Sequence, residues 1–226
     1  MPKPLATLAD RLLDAARKAG ADTADVIVVD GTSVSIDVRS GALEQAERSE
    51  GIDIGLRVMI GRRQANVSAS DTRPDTMLQM AQRAVLMARE APEDPHIGLA
   101  DPTQFATDTD TSTLDLFDPG AEPDPQALQD AAARAEAAAQ ANPGISQVQS
   151  TSASYGRRRV HLSTSNGFSA GYARTGHSLS CVAISGTGAN MERDYDFDSR
   201  VYGSDMRCPE DIGTKAAARA VARSGA

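Results

Sequence analysis

Four acidic residues alternate with other residues along one short stretch of the chain. They are Glu192, Asp194, Asp196 and Asp198. An extended strand would place all four carboxylates on one face, because successive side chains of a strand point to opposite faces. Such a row can hold a cation or bind a basic partner peptide, although the same pattern is also typical of a strand face that only contacts water. We predict a partner or peptide patch at these four residues and keep the solvated face as the alternative.

A second pattern, G-x-S-x-G, spans residues 167–171 and has Ser169 at its centre, with His177 following nearby. A serine nucleophile of this kind stands on a sharp turn between a strand and a helix, which exposes its hydroxyl group. Ser169 instead follows a predicted hairpin turn and leads into another predicted strand. A serine hydrolase that uses Ser169 and His177 is therefore the least favoured of three functional hypotheses.

The sequence contains no recognisable metal or cofactor motif. Its three histidines are His96, His161 and His177. None of them forms an H-x-x-H or H-E-x-x-H motif or pairs with a nearby cysteine, so we predict no zinc site within this chain. Residues 108–112 resemble the start of a calcium loop, but the glycine of the sharp turn is missing and Pro119 occupies the position of the bidentate glutamate. Residues 186–188 lack the third glycine and the helix of a dinucleotide-binding loop.

The composition favours a protein of a reducing compartment. The 226 residues carry a net charge of −8, and the sequence pI is about 4.9, which argues against a nucleic-acid-binding surface. The two cysteines, Cys181 and Cys208, show no C-x-x-C spacing. No stretch approaches the roughly 18–20 apolar residues that a membrane span needs, and the N-terminus lacks the apolar core of a signal peptide. We predict a cytoplasmic protein with no direct nucleic-acid or membrane partner.

The elements that would position these residues are organised around residues 51–70. Apolar side chains alternate there at Ile52, Ile54, Leu56, Val58 and Ile60. A period of two predicts a strand with one face on a core, and residue 61 begins a turn into a return strand over residues 65–69. Proline suits the first position of a helix, so Pro74 is predicted to begin a helix that runs to Glu90.

Sequence signals predict further elements on both sides of this stretch. Before it lie a helix over residues 5–19, closed by Gly20, strands over 24–30, 32–39 and 43–50, and a tight turn at Ser40-Gly41. After it lie a helix that begins at Pro125 and runs to about Asn142, strands over 148–155, 159–164, 168–174, 178–185 and 192–199, and a final helix that begins at Pro209. Residues 165–167, Ser-Asn-Gly, are a strong hairpin signal.

The two halves of the chain follow one plan of a helix, meandering strands with a glycine turn, and a helix begun by proline. A repeat at this scale predicts an α+β fold of two related modules, each an antiparallel meandering sheet packed with flanking helices. We place the N-terminal module at residues 1–95 and the central module at residues 124–226. Residues 96–123, which are rich in proline, aspartate and threonine, form the predicted connection.

Longer stretches of the sequence resemble one protein family. Residues 50–59 (EGIDIGLRVM), the following GRRQANVSASD and a helix that ends in MAREAPEDP resemble the N-terminal domain of the TldD/PmbA family. Residues 165–200 are similar to the central domain of the PmbA branch of that family, which is also called TldE. The combination of S-N-G-F, H-S-L-S-C and M-E-R-D-Y carries this second resemblance.

The resemblance implies a bacterial cytosolic component of a heteromeric zinc metalloprotease that acts on unfolded peptides. In this family the TldD-type partner carries an H-E-x-x-x-H zinc motif, whereas the PmbA-type subunit lacks the motif and completes the cavity. Zinc is therefore expected in a TldD-like partner, and no cofactor is expected in this chain. An older family name refers to DNA gyrase, but the acidic pI disfavours direct DNA binding. Family members continue into a C-terminal domain, which is expected to be absent from a chain that ends at Ala226.

The leading hypothesis is a truncated, non-catalytic PmbA/TldE-like subunit that supports a TldD/TldE-type metalloprotease, either as a fragment or as a natural short form. The alternative is a stand-alone regulatory module that binds a peptide or protein and has no enzymatic activity. Both hypotheses make extended peptides plausible ligands, because exposed strands of an α+β sheet can pair with an added strand.

Overall fold

A computed structural model describes residues 4–224 of the chain. This part contains four α-helices: α1 (Leu5–Ala19), α2 (Pro74–Glu90), α3 (Pro125–Gln140) and α4 (Pro209–Ala222). It also contains six strands: β1 (Thr23–Arg39), β2 (Ala42–Ile60), β3 (Arg63–Ala69), β4 (Ile145–Thr164), β5 (Ser169–Ser185) and β6 (Glu192–Arg200). None of the described helices is long and apolar enough to cross a membrane.

The six strands form one hydrogen-bonded sheet in the order β3-β2-β1-β4-β5-β6. Strands β2 and β3 pair antiparallel, and so do β5 and β6. The predicted α+β class, with antiparallel strands and flanking helices, is confirmed. The strands of the two predicted modules belong to one strand order, in which β1 lies beside β4.

Local signals set the helix ends where the sequence predicts them. Gly20 adopts a left-handed φ of 100° after α1, a conformation that glycine adopts at little cost. Pro74, Pro125 and Pro209 each hold the first helical position, where a missing N–H group costs no hydrogen bond. At α3 the side chain of Asp124 also caps the first turn.

Four strands are longer than the sequence predicts. In each case two predicted strands are parts of one continuous strand. β1 contains the predicted strands 24–30 and 32–39, and β2 contains 43–50 and 51–60. β4 contains 148–155 and 159–164, and β5 contains 169–174 and 178–185, so that only residue 168 lies outside it. The predicted division at the intervening glycines is wrong, because a glycine in a strand can stay extended while neighbouring strands supply its hydrogen bonds. Gly51, Gly156 and Gly176 indeed have no positive φ angle.

The described chain divides into two compact units, and each of the four long strands contributes residues to both units. The first unit comprises the chain up to Gly31, Glu50–Leu114 and Arg158–Ala173. The second comprises Thr32–Ser49, Asp115–Arg157 and the chain from Arg174 onward. The linear division of the chain into residues 1–95, 96–123 and 124–226 stays a prediction.

The core of the first unit lies between its helices and one face of its strands. Its buried residues include Leu8, Leu12, Val26, Val28, Ile54, Leu56, Val58, Met77, Ala81 and Val85. They occupy alternate positions of β1 and β2 and helical spacings in α1 and α2, so the periodicities that predict these elements also define the core faces. Burial of each Val or Leu side chain stabilises the fold by about 1.5–3 kcal/mol.

The core of the second unit depends on small residues in α3 and α4. The buried alanines are Ala132, Ala135, Ala139, Ala216, Ala217 and Ala220. The helices approach so closely that a Cβ atom on Gly213 would lie 2.0 Å from the carbonyl oxygen of Ala135. Three residues of β1, Val34, Ile36 and Val38, belong to the same core, together with residues of β4 and β5 such as Tyr155 and Leu179.

A buried carboxylate of α3 holds the turn between β1 and β2. Ser40 and Gly41 adopt positive φ angles of 54° and 74°, as a two-residue hairpin turn of type I′ requires. Their backbone N–H groups donate to the carboxylate of Glu136 at 2.6 and 2.7 Å, and Glu136 is 1% exposed. Two charge-assisted hydrogen bonds therefore compensate the buried charge and fix the turn against α3.

Candidate functional site

The predicted row of carboxylates lies on one face of β6, as its alternation requires. The row consists of Glu192, Asp194, Asp196 and Asp198. The exposed fraction of the side chain is 35% at Glu192 and 21% at Asp194, but only 6% at Asp196 and 9% at Asp198. Because β6 packs against α4, most of the row lies against protein and only its first two members are open to solvent.

Arginine side chains neutralise the buried end of the row. Asp196 forms an ion pair with Arg207 and lies 2.8 Å from Arg219 of α4. Asp198 lies 3.0 Å from Arg200 and accepts a hydrogen bond from the backbone N–H of Arg207 at 2.9 Å. Burial acts to raise the pKa of Asp198, but the hydrogen bonds from Arg207 and Arg200 outweigh it and lower the pKa.

Arg223 forms ion pairs with the two more exposed carboxylates of the row, Glu192 and Asp194. Its guanidinium lies 3.0 Å from Asp194 and 3.9 Å from Glu192. The pKa of Asp194 is lowered first by the backbone N–H of Tyr195 and then by Arg223. A cation or a basic peptide would have to displace arginine side chains, so only Glu192 and Asp194 are open enough for such an exchange. The binding role of the row stays a prediction.

The opposite face of β6 carries an exposed aromatic pair. The rings of Tyr195 and Phe197 stack with their centroids 6.1 Å apart, and the two residues are 53% and 55% exposed. The carbonyl oxygen of Tyr195 accepts a hydrogen bond from the guanidinium of Arg219 at 2.9 Å. A side chain that occupies a backbone acceptor in this way reduces the capacity of β6 to pair with an added strand.

Ser169 has a different histidine neighbour from the one that the sequence suggests. Its hydroxyl group lies 3.0 Å from Nε2 of His161 and 3.3 Å from the hydroxyl group of Ser163, both on β4. His177 lies further along β5, in the second unit. The structure therefore brings Ser169 together with His161 and not with His177.

Both glycines of the G-x-S-x-G pattern have structural roles. Gly167 adopts a φ of 106° in the turn between β4 and β5, where a side chain would be strained. A Cβ atom on Gly171 would lie 2.3 Å from the carbonyl oxygen of Val160. Ser169 begins a strand and does not stand between a strand and a helix. The pattern thus reflects the geometry of a hairpin and not a nucleophile elbow.

His177 and Asp118 meet in the second unit, on the wall of a cavity. Nε2 of His177 lies 3.4 Å from Oδ2 of Asp118, but this nitrogen has no partner with hydrogen-bond geometry among the described residues. The carboxylate of Asp118 accepts hydrogen bonds from the N–H groups of Gly203 at 2.9 Å and Gly120 at 2.8 Å. These two bonds lower the pKa of Asp118, so the carboxylate stays charged beside a histidine whose side chain is only 13% exposed.

The cavity beside His177 has a volume of about 470 Å³. Apolar residues such as Leu128 and Leu179 line it, together with Arg134 and Arg207. Cavities of this size and mixed lining bind small molecules or single side chains of a peptide. His177 lines the cavity, but its Nε2 atom is itself buried.

The sequence does not predict this cavity, because Asp118 and His177 are far apart in the chain. Asp118 reaches β5 through its own backbone N–H, which donates to the hydroxyl group of Thr175 at 2.8 Å. The one local signal is the Asp118-Pro119-Gly120 sequence, which is typical of a turn that uses its own carboxylate as an acceptor. Such a signal predicts the turn but not the neighbour across it.

The described residues do not fit a zinc site. In residues 4–224, no group of three or more His, Cys, Asp or Glu side chains is arranged to hold a metal ion. His177 lies beside the carboxylate of Asp118 and His161 lies beside the hydroxyl group of Ser169, whereas zinc in proteins has three or four N, S or O ligands. The expectation that zinc belongs to a partner chain stays a proposal.

Two stretches of the chain match domains of one protein family. Residues 24–88 match PmbA/TldA metallopeptidase domain 1, and residues 118–224 match the PmbA/TldA metallopeptidase central domain. Together the matches cover well over half of the chain, and the chain belongs to the PmbA/TldD family. The resemblance carried by residues 50–59 and 165–200 is confirmed.

Two curated relatives are named as metalloproteases. Metalloprotease PmbA of Escherichia coli is 35% identical over 205 residues, which are 89% of this chain and 44% of that protein. The metalloprotease PmbA homolog of Haemophilus influenzae is 28% identical over 215 residues, which are 93% of this chain and 46% of that protein. The chain therefore spans less than half the length of these relatives.

Solved structures share the fold. A modulator of DNA gyrase from Bacteroides thetaiotaomicron, so named in its description, superposes with a TM-score of 0.83 at 23% identity, over 97% of this chain and 50% of that one. TldE from Thermococcus kodakarensis superposes with a TM-score of 0.74 at 15% identity, over 93% of this chain and 46% of that one. At these identities the similarity concerns the fold alone.

Proposed function

We propose that the chain is a PmbA/TldE-like subunit without a zinc site of its own, and that it supports a TldD-like zinc metalloprotease acting on unfolded peptides. Family membership carries this proposal, because both matched domains and both curated relatives are named for a metallopeptidase.

Strand addition is the physical means by which this chain would hold an extended peptide. β3 is the last strand at one end of the strand order, so it has a neighbour on one side only within the described sheet. A peptide beside β3 would gain main-chain hydrogen bonds along a strand of seven residues, while its side chains alternated between the two faces. β6, at the other end of the order, suits this role less because Arg219 occupies the carbonyl oxygen of Tyr195.

A groove on one face of β1, β2 and β3 offers contacts for a peptide segment that continues from the edge of β3 onto this face. It has a volume of about 340 Å³ and is lined in part by Asn66 and Ser68 of β3. Ile27, which is 43% exposed, supplies an apolar contact. The ion pair between Asp25 and Arg57 lies in the same groove and can bond polar side chains of either charge.

Co-expression with a TldD-like protein from the same cell tests the proposal. The purified material would be assayed for cleavage of an unfolded peptide with and without a chelator, beside each protein alone. We expect co-purification, and we expect chelator-sensitive cleavage only when both proteins are present. Failure to associate, or equal cleavage by the TldD-like protein alone, would contradict a supporting role.

A pair of matched variants tests the peptide groove within that assay. Ile27→Glu places a charge in the groove, whereas Leu78→Glu places the same charge on α2 at a residue of nearly equal exposure, 44% against 43%. We expect Ile27→Glu to reduce peptide cleavage several-fold and Leu78→Glu to leave it unchanged. Equal activity of the two variants would show that the groove does not bind the peptide, and it would not contradict the supporting role of the subunit.

The carboxylate row remains a proposed contact for a basic segment of the partner, through its two accessible members. The double variant Glu192→Gln and Asp194→Asn should weaken association with the TldD-like protein. Asp14→Asn, which removes a more exposed carboxylate from α1, should not. If the double variant associates as the wild type does, the carboxylate row contributes only to packing of α4 on β6.

A stand-alone peptide-binding module is the second candidate, and the cavity beside His177 favours it because the cavity lies within one unit of this chain. Fluorescence anisotropy of a labelled unfolded peptide with the chain alone separates the two candidates. Saturable binding that His177→Ala weakens would support the module. Absence of binding without the TldD-like protein would support the subunit.

A further inference from the structure

The groove that contains Asp25 and Arg57 is the first of three adjoining cavities. A second cavity, with a volume of about 320 Å³, is lined by the same two residues. A third, of about 250 Å³, shares Ala106, Leu162 and Phe168 with the second. All the residues that line the three cavities belong to the first unit. Because neighbouring cavities share lining residues, they lie side by side, and we call them the cavity row.

The cavity row extends across five strands of the sheet. Its first cavity reaches Asn66 on β3, and its third reaches Tyr172 on β5. The strands between these two residues follow the order β3-β2-β1-β4-β5. Since neighbouring strands lie about 4.8 Å apart, the row is roughly 19 Å long, which about six residues of an extended chain span. This length fits a peptide segment better than one compact small molecule.

The middle cavity has aromatic and aliphatic walls. Phe105 and Phe168 pack edge to face, with ring centroids 5.3 Å apart. Leu99 and Leu162 line the same cavity, and Leu162 is 37% exposed. Such walls favour a large apolar side chain, because its entry removes apolar surface of both partners from water.

Hydrogen bonds hold the wall that carries Phe105 in place. The side-chain amide of Asn166 donates to the carbonyl oxygen of Ala100 at 2.8 Å and ties the wall to the turn between β4 and β5. The carboxylate of Asp101 accepts the backbone N–H of Thr103 at 2.8 Å and fixes the short helical turn before Phe105. The pocket is therefore formed before a ligand arrives, which reduces the entropic cost of binding.

The charged groups of the row show which peptide fits it. Arg57 uses Nε and Nη2 on the carboxylate of Asp25, so its Nη1 atom remains as a donor for a main-chain carbonyl oxygen of a ligand. In the third cavity the exposed Asp108 accepts the backbone N–H of Asp110 at 2.9 Å. No basic side chain within residues 4–224 forms an ion pair with Asp108. Its negative charge therefore favours a basic side chain of a ligand.

The chain itself limits the distance between the apolar and the acidic position. Phe105 lines the middle cavity, and Asp108 lines the third. Three residues of extended chain span at most about 11 Å. An extended ligand that contacts both side chains thus carries its apolar and basic residues within about three positions of each other.

We propose that the cavity row binds an extended peptide segment with a large apolar residue on Phe105 and Phe168 and a basic residue at Asp108. This inference rests on the proposed function and names the class of peptide that this subunit holds. Folded proteins bury most of their large apolar side chains, whereas unfolded peptides expose them. The middle cavity therefore supplies a physical reason for a preference for unfolded substrates.

Fluorescence anisotropy with the chain alone tests the proposal. The probe is a labelled glycine-serine peptide with one phenylalanine and one arginine, separated by a single residue. We expect saturable binding that weakens about tenfold or more when alanine replaces the phenylalanine. Glutamine in place of the arginine should weaken binding about two- to fivefold at low salt, since an exposed ion pair contributes little. Equal binding of the phenylalanine and alanine peptides overturns the proposal.

A pair of tryptophan variants locates the binding. Ala106 is exposed and lines both apolar cavities, so Ala106→Trp should fill them and weaken binding about tenfold or more. Ala141→Trp, at an exposed alanine after α3, is the matched control and should bind like the wild type. Thermal unfolding verifies that both variants fold. Binding that Ala106→Trp leaves unchanged, or that only His177→Ala weakens, overturns the proposal.

A combination of protein and peptide variants isolates the contact with Asp108. Asp108→Asn should weaken binding of the arginine peptide about two- to fivefold and leave binding of the glutamine peptide unchanged. Equal effects on the two peptides would contradict the ion pair.

These measurements need no TldD-like protein, so a failure of the two proteins to associate would not alter their outcome. Absence of peptide binding overturns the inference about the cavity row. Chelator-sensitive cleavage by the co-purified proteins would in that case still support the proposed function.

Discussion

Cys181 and Cys208 differ in reactivity because of where they lie. Cys181 is completely buried in β5, and burial raises the pKa of its thiol to about 11. Cys208 is exposed just before α4, beside Glu210 and Arg134. Thiols react as thiolates, and at pH 8 only about one part in a thousand of a thiol with such a pKa is ionised. Cys181 is therefore a core residue, and Cys208 is the accessible thiol of the described chain.

A thiol-reactive chromophore at pH 8 should label one cysteine per native chain and two per denatured chain. Cys208→Ser should abolish the native signal and leave one site in the denatured chain. Cys181→Ala, provided that the variant folds, should leave native labelling unchanged. Fast labelling of native Cys208→Ser protein would mean that the core around Cys181 opens readily.

Substitution by alanine should reduce stability at the second glycine of the G-x-S-x-G pattern and leave it nearly unchanged at the serine. Gly171→Ala should lower the free energy of unfolding by about 1–3 kcal/mol, because its Cβ atom would lie 2.3 Å from the carbonyl oxygen of Val160. Ser169→Ala should change it by less than about 0.5 kcal/mol, since Ser169 is exposed. Urea denaturation followed by circular dichroism measures both. If Ser169→Ala abolished the activity of the co-purified assembly without changing the stability of the chain, the result would support Ser169 as a nucleophile.

At the scale of elements, α3 and the β1–β2 turn are joined by one side chain. The carboxylate of Glu136 accepts the N–H groups of Ser40 and Gly41 in a site that is almost closed to water. Removal of the acceptor leaves two donors without partners, and each such loss costs about 1–3 kcal/mol when it is buried. The turn residues alone predict a hairpin, but they do not predict what the hairpin packs against.

Glu136→Ala should therefore reduce the free energy of unfolding by about 2 kcal/mol or more. Glu136→Gln, which keeps one acceptor oxygen of similar shape, should cost less. Gln140→Ala, at an exposed position of the same helix, is the control and should be near neutral. Thermal or urea unfolding measures the series, and hydrogen exchange at Ser40 and Gly41 reports the turn itself. A neutral Glu136→Ala would show that the turn is held by β1 and β2 alone.

The carboxylates of β6 show how far spacing alone can predict a role. Alternation predicts that all four share a face, and they do. It does not reveal that Arg207, Arg219 and Arg223 approach that face from the chain that follows. The arginines are visible in the sequence, but only the packing of α4 on β6 pairs them with particular carboxylates. A row that suggests a binding patch is, for its buried half, an internal contact between two elements.

At the scale of the whole molecule, neither half of the chain contains a complete core. The core of the second unit includes Val34, Ile36 and Val38, which come from the first half of the sequence. The first unit in turn includes Arg158–Ala173 from the second half. Because apolar burial is the main source of stability, a fragment that lacks these strands loses part of its core and exposes the rest.

Separate expression of residues 1–95 and residues 124–226 should give chains that lack cooperative thermal unfolding. The full chain should unfold cooperatively in the same circular dichroism experiment. Co-refolding of residues 1–123 with residues 124–226, which together include every strand, should restore a cooperative transition. A cooperative transition of either short fragment alone would support the linear division of the chain.

Sequence reasoning succeeded where the cause is local. Proline at the first turn, glycine after the last turn and alternation of apolar residues are short-range signals, and α2 spans the predicted Pro74–Glu90. It failed where the cause lies in a distant segment. The continuity of β1 through residue 31 depends on its strand neighbours, and the partner of Ser169 depends on how β4 folds back onto β5. His161 and His177 stand equally far from Ser169 along the chain, so only the hairpin distinguishes them.

The sharing of strands between the two units also has a consequence during synthesis on the ribosome. The backbone N–H of Ala24 donates a hydrogen bond to the hydroxyl group of Ser165, 141 residues later in the chain. The backbone N–H of Ser40 donates to the carboxylate of Glu136, 96 residues later. At a translation rate of roughly 5–20 residues per second, β1 exists for on the order of ten seconds before these partners emerge. Contacts of such long range also form slowly once they become possible. During that interval apolar strands with unpaired edges are exposed, so the yield of soluble protein should depend strongly on growth temperature and on chaperones that bind nascent chains.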